Sequence, residues 1–337
     1  MNRLPLMIGA AVVVLAGGYF GLSAYSSSQA NALLEDWVYD HGLDEQLSWD
    51  SVSSSPLGGR VTISGLRAEF GKNQPDLRAE QLVISDRDIS DEQTRIRLHF
   101  EGVQTDSSAL SALNSLTGGF GLLRGFAPAV SSGLTELKPF DLELFVDIDD
   151  DAGTLETDLF VGMPELFDSR LSYRLSNLRD LNRTLRRLAE DLGGNASPFG
   201  FAGPLGELTS SVERAELERT MLSLQDRGLA ARSIALYQRY NTPLDPSAGS
   251  AEHQRKAYYE KVVAEAKGNC DREVKALPGG FRDACELMSE LMLGEVNGIQ
   301  LTVEPEKRVL LTDLTDLQDE RRRERLLDRL DPQLDSL

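Results

Sequence analysis

The chain opens on a stretch with neither charge nor periodicity. Residues 4–25 read LPLMIGAAVVVLAGGYFGLSAY. A helix of about 22 residues rising 1.5 Å each covers the roughly 30 Å hydrocarbon core of a bilayer with some tilt. Apolar residues then recur at helical spacing, with Leu33, Leu34, Trp37 and Val38 on one side of a helix over 32–39. From Leu47 the period becomes two. Leu47 and Trp49, Val61 and Ile63, the segment Leu77–Ser85, and Ile96, Leu98 and Phe100 against Arg95, Arg97 and His99 all predict strands. After Gly65 the apolar phase slips by one, to Leu66, Ala68 and Phe70, which predicts a bulge.

The same plan recurs more loosely. A helical pattern covers Ser107–Leu116. Leu142, Leu144, Val146 and Ile148 then line one face of a strand, 149–153 turns the chain, and Leu155, Leu159 and Val161 return. Arg170–Leu175 is a further strand and Leu178–Leu192 an amphipathic helix. Residues 207–224 read as one or two strands, with a helix still open because the phase slips near Thr220. From Leu229 to Val296 the pattern is mainly helical, followed by strands at Gly298–Val303 and Arg308–Leu311 and a charged amphipathic tail from Thr312. Strands in succession with helices set to one end predict α+β: an N-terminal transmembrane helix, a curved antiparallel β-sheet ectodomain and a helical hairpin near the C-terminus. The expected segments are 1–31, cytoplasmic stub and anchor; 32–228, a strand-rich periplasmic domain; 229–311, helical hairpin and closing strands; and 312–337, the tail.

Charge sets the orientation. The amino terminus and Arg3 precede the apolar run, while Glu35, Asp36 and Asp40 follow it, so the start stays in the cytoplasm and the bulk crosses. A cleaved signal peptide is the competing reading, with Ala30-Asn31-Ala32 as its small-residue site. The apolar run exceeds the usual h-region of about 7–15 residues, which favours an uncleaved anchor. The net charge of −19 repels phosphate backbones and excludes nucleic acid as a general partner.

The only cysteines are Cys270 and Cys285. Tyr258, Val262, Ala266 and Cys270 share one helical face, Phe281, Cys285, Met288 and Met292 another, and 277–280 (LPGG) is the turn between them. An antiparallel hairpin there brings the thiols together in an oxidising compartment, and a disulfide is favoured over two reduced core cysteines.

Candidate chemistry is sparse. Asp147-x-Asp149-x-Asp151 has the spacing of half a calcium loop, but Gly153 comes one residue late and strands flank it, so an acidic hairpin turn is the better reading. His41, His99 and His253 have no second ligand at metal spacing. Neither a nucleophile elbow nor a phosphate-binding loop occurs, so no metal, cofactor or catalytic residue is assigned and a non-enzyme is expected. The unusual segments are two glycine/phenylalanine loops containing Phe120 and Phe126, and Phe199 and Phe201. Such apolar loops need a cover, whether the sheet itself, the bilayer or a ligand.

The anchor, the short helix and then LSWDSVSSSPLGGRVTISGLRAEF…PDLRAEQLVIS resemble the opening of bacterial AsmA-like envelope proteins over about the first hundred residues. The segment LSLQDRGLAARSIALYQRYNTPL (Leu222–Leu244) is similar to a strand-then-helix unit of anchored periplasmic proteins. The resemblance implies a curved sheet with an apolar concave face, placement in the inner membrane and a role in phospholipid movement or envelope homeostasis. It carries over no catalytic residue. The expected function is thus a membrane-anchored module binding lipid or another apolar ligand, with Phe120, Phe126, Phe199 and Phe201 as a lid. The alternative is an envelope scaffold that binds a protein partner. A reporter active only outside the cytoplasm, fused after Leu337, should be active. A silent periplasmic reporter beside a working cytoplasmic one would reverse the orientation.

Overall fold

The computed structural model describes residues 27–40, 43–55, 59–69, 77–105, 132–134, 137–193, 202–274 and 283–337. The apolar run Leu4–Tyr25, the pattern at 107–116, the turn at 277–280 and all four loop phenylalanines lie outside them. Among the described residues no helix is long and apolar enough to cross a membrane. What is described is α+β, mostly antiparallel sheet with several helices, and it divides into two compact units.

The first unit comprises Met1–Ala127, Leu137–Leu159 and Ser176–Ala215. It begins with α1 (Ser27–Asp40), followed by β1 (Leu47–Ser48), β2 (Ser51–Ser54), β3 (Val61–Ala68), β4 (Leu77–Ile89), β5 (Gln93–Thr105) and β6 (Phe140–Asp149). β1 and β2 both pair with β3, and β3 to β6 follow as an antiparallel meander into β7 (Thr154–Met163). Two helices, α2 (Leu181–Gly193) and α3 (Ala202–Arg214), pack on each other. The core forms because alternation puts Val61, Ile63, Leu82, Ile84 and Leu98 on one face, where Leu34 and Val38 of α1 cover them. Trp49 Nε1 donates to Asn31 Oδ1 at 2.9 Å and ties that helix to the sheet.

The phase slip at Gly65 is present, but its cause differs from an inserted residue. Pairing with β4 keeps its register across the site, Ser64 facing Gln81 and Leu66 facing Ala79. A left-handed Gly65, φ 65°, turns the chain instead, and Leu66 joins the core with Ile63. β4 changes phase at the same level, with Ala79 and Leu82 both buried. So does β5, at Gly102 (φ 62°), where pairing with β6 shifts between Phe100 and Val103. The Gly102 N–H donates to Asp141 Oδ1 at 3.0 Å. The result is one crease across three strands, β3 to β5, with glycines alternating with acids, because Asp50 and Glu80 occupy the space that a side chain on the neighbouring glycine would need. A Cβ on Gly65 would lie 2.1 Å from Asp50 Oδ2, and one on Gly102 2.7 Å from Glu80 Cγ.

The second unit comprises Pro128–Glu136, Phe160–Leu175 and Glu216–Leu337. Its strands β8 (Phe167–Ser176), β9 (Glu216–Asp226), β10 (Gly298–Val303) and β11 (Pro332–Ser336) lie in that order. Residues 207–224 therefore divide, the first half finishing α3 and the second forming β9. The helix-to-strand boundary lies at Ala215, and Thr220, where the apolar phase slips, is inside β9. Arg308–Leu311 is not a strand; Leu310 makes a lone bridge to Glu216, and β11 takes the place beside β10. Residues 312–337 fold back as a 3-10 helix (Leu311–Gln318), α7 (Glu320–Leu330) and β11. Leu326, Leu327 and Leu330 pack with Val303 and Val309, which explains their helical spacing amid arginines.

Between β9 and β10 lie α4 (Leu229–Asn241), α5 (Ala251–Val274) and α6 (Ala284–Leu293). Cys270 and Cys285 are bonded, with Cα atoms 5.8 Å apart, so the hairpin closes as its spacing predicts. On the first helix the packed face is rotated by one residue from the predicted one, Tyr259 and Val263 being buried; on the second Cys285 is buried as predicted, whereas Met288 and Met292 are exposed. The reason is Tyr259, whose ring meets Tyr237 edge-on with centroids 5.4 Å apart while its hydroxyl donates to the Met292 carbonyl at 2.8 Å. Burial against that second ring pushes the Tyr259 hydroxyl pKa up.

Alanine at Gly65 or Gly102 should each cost about 1–2 kcal/mol in urea unfolding, from the left-handed backbone alone. Alanine at Gly59, with nothing within 4 Å and no such backbone, should cost nearly nothing. Equal effects at the three positions would remove the crease as a structural device.

Candidate functional site

The first unit's sheet presents two chemically opposite faces. On one, Ile96 faces Val146, Leu98 faces Leu144 and Phe100 faces Leu142. The row extends through Leu82 and Ile84 to Val61 and Ile63. Under α1 these side chains are buried, but towards β6 Ile96, Phe100, Leu142, Leu144 and Val146 are only half-buried. Full burial of one such side chain is worth about 1.5–3 kcal/mol, so five of them in a row gain substantially from being covered.

The opposite face is an ion ladder. Arg95 bonds Asp147 at 2.6 Å, and Arg97 bonds Asp86 at 2.6 Å and also Glu143. The Arg97 guanidinium lies 4.7 Å from the Phe145 ring centroid. Hydrogen bonding to Asp147 holds Arg95 more firmly protonated than usual, and Asp86 does the same for Arg97 against the penalty of burial. The open groove of about 390 Å³ between Asp86, Arg87, Asp88, Arg95, Arg97 and Phe145 is therefore charge-compensated from within. His99 sits beside Glu101 on this face, Nδ1 3.5 Å from the carboxylate.

The aspartate string from 147 to 151 is structural. Asp147 serves the ladder, and Asp149 accepts the Ala152 N–H at 2.8 Å to close the hairpin turn. Asp150, 9% exposed, reaches α2 and accepts the N–H groups of Asn182 at 2.8 Å and Arg183 at 3.1 Å. It stands in for a helix cap, with a negative charge at the positive end of the helix. Asn182, 2% exposed, continues the clamp by donating to the carbonyls of Ser90 and Asp91 and accepting from Thr94 Oγ1 at 2.6 Å. Arg186 bonds Asp91 and the Ser90 carbonyl. One aspartate and one asparagine thus pin α2 to two hairpin turns.

Of the residues nominated from sequence, the structure brings Cys270 and Cys285 together. Phe120, Phe126, Phe199 and Phe201 lie outside the described residues. Among the described residues no three metal-ligating side chains converge. The sequence pattern identified the alternating face but nominated the loops as the site; the signal for the face itself was the paired alternation of 96–100 and 142–148. No family model matches the chain, and no curated protein matches it.

Asp150→Ala should cost about 1–2 kcal/mol in denaturant unfolding, because two helix donors lose their acceptor. Asp147→Asn, which keeps an oxygen acceptor for the exposed Arg95 side chain, should cost less than about 1 kcal/mol. Equal costs would remove the distinction between clamp and ladder.

Proposed function

We propose that the protein is a non-catalytic, membrane-anchored module of the bacterial envelope that binds lipid or another apolar ligand. In this reading Leu4–Tyr25 holds it in the inner membrane, its amino terminus is cytoplasmic and the curved sheet lies in the periplasm. The supporting observation is the half-buried row Ile96, Phe100, Leu142, Leu144 and Val146, backed by a charge-compensated face that has no use for an apolar partner. An acyl chain is long, apolar and without hydrogen-bonding demands, which matches a row that offers only hydrocarbon. The resemblance of the first hundred residues to AsmA-like proteins points the same way.

A second reading, a scaffold that binds an envelope protein, is supported by the second unit, which leaves Tyr240, Met288 and Met292 exposed on its helices. Adaptable methionine and amphipathic tyrosine are common at protein interfaces.

Native mass spectrometry of the full chain in mild detergent should show an adduct of phospholipid mass. Val146→Glu should reduce that adduct about tenfold while lowering the melting temperature by no more than about 4 °C. Serine at Phe120, Phe126, Phe199 or Phe201 should also reduce it, with little loss of stability if these residues form a lid. Losses near the 3–5 kcal/mol of a truncated core phenylalanine would make them structural. A wild-type protein with no adduct would favour the scaffold.

A further inference from the structure

Helix α2 carries Arg179, Arg183 and Arg187 just before and along its length at four-residue intervals, one stripe on one side. On α3, Ser210 and Arg214 are also four apart, with Ser211 beside them. The two sets line a single open cleft of about 280 Å³. Asp180 is the one carboxylate lining it among the described residues, and it is paired with Arg183 at 2.6 Å. Arg179 and Arg214 make no ion pair among the described residues.

An amphipathic helix ordinarily turns its arginines to water or to nearby acids, and Arg186 does so at Asp91. The cleft differs in two ways. A second helix contributes a fourth guanidinium and two hydroxyl-bearing residues to the same space. This also happens in a chain of net charge −19, where four converging cations stand out against the surrounding potential. Arg183 already has Asp180, and Arg187 has an interaction of its own, so the charge left for an anion in the cleft is chiefly that of Arg179 and Arg214. The planar fork of a guanidinium matches the oxygens of a tetrahedral oxyanion, and serine hydroxyls add neutral donors. The volume accommodates such an anion with part of the group that carries it.

We propose that the cleft between α2 and α3 is a phosphate-binding site, the phosphate being borne on a lipid headgroup or free in solution. The site does not depend on the apolar sheet face, since the arginines can hold phosphate whether or not a chain is attached.

The test uses the full chain in non-ionic detergent, titrated calorimetrically with inorganic phosphate and with dihexanoyl phosphatidate. Saturable phosphate binding is expected. Arg179→Gln and Arg214→Gln should each weaken it about tenfold or more without changing the melting temperature, because neither side chain makes an ion pair with a described residue. Competitive displacement of phosphate by the short-chain phosphatidate would assign the headgroup as source. Phosphate binding without displacement would assign free phosphate. The proposal is overturned if neither probe binds, if both variants bind as well as the parent, or if a hexaglutamate peptide binds where phosphate does not. Val146→Glu protein that has lost its lipid adduct but still binds phosphate would separate this site from the sheet-face reading.

Discussion

The buried pair Asp150 and Asn182 is the constraint on which the first unit's polar geography rests. A carboxylate 9% exposed is tolerable only when its oxygens are fully used, and here two helix N–H groups use them. Asn182 spends its amide on the carbonyls of the β4–β5 turn and its oxygen on Thr94. Because backbone donors and carbonyls have fixed directions, this network sets the angle and rotation of α2 as well as its position. The same rotation sends Arg186 down to Asp91 and leaves Arg179, Arg183 and Arg187 facing α3. The arginine cleft is therefore a consequence of where a hairpin turn two strands earlier in the chain places one aspartate.

The two sheet faces follow from a different rule. Strand alternation separates apolar from charged positions cleanly only while every strand keeps phase, and here the three neighbouring strands β3, β4 and β5 change phase at one level. Left-handed glycines at 65 and 102 make the change possible; Asp50 and Glu80 fill the space their missing side chains leave, and Asp141 accepts the Gly102 N–H. The apolar row from Val61 to Val146 stays continuous because neighbouring strands switch together. A switch in one strand alone would have put charges such as Arg97 against Leu144, at a desolvation cost far above that of a left-handed glycine.

Much of this was legible in the sequence because it depends on local period. The strands from Leu47 to Val161, the helical stretch after Leu229, the closed hairpin at Cys270 and Cys285 and the phase slip at Gly65 all follow from spacing alone. The failures share a cause. Residues 207–224 were ambiguous because an amphipathic helix abuts a strand at Ala215 with no glycine or proline between them. The hairpin face was predicted one residue off because Tyr258 and Tyr259 are adjacent, and only tertiary contacts with Tyr237 and the Met292 carbonyl decide which is buried. The strand at 308–311 failed because Pro332–Ser336, charged and far along the chain, pairs with β10 instead. The arginine stripe was readable as three residues at four-residue intervals, but its meaning required Arg214, which no local pattern links to it.

Acidity and binding are separable questions in this protein. A net charge of −19 describes the field at a distance, and at physiological salt that field is screened beyond about 8 Å. Within the Debye length local composition decides, and the first unit holds two environments that oppose the average: hydrocarbon along β5 and β6, and guanidinium between α2 and α3. An acidic exterior then acts as a filter. It discourages nucleic acid and nonspecific adsorption to anionic bilayers, both of which need broad positive surface. It does not prevent a small anion from entering a cleft lined by four arginines, where Asp180, paired with Arg183, is the one lining carboxylate among the described residues.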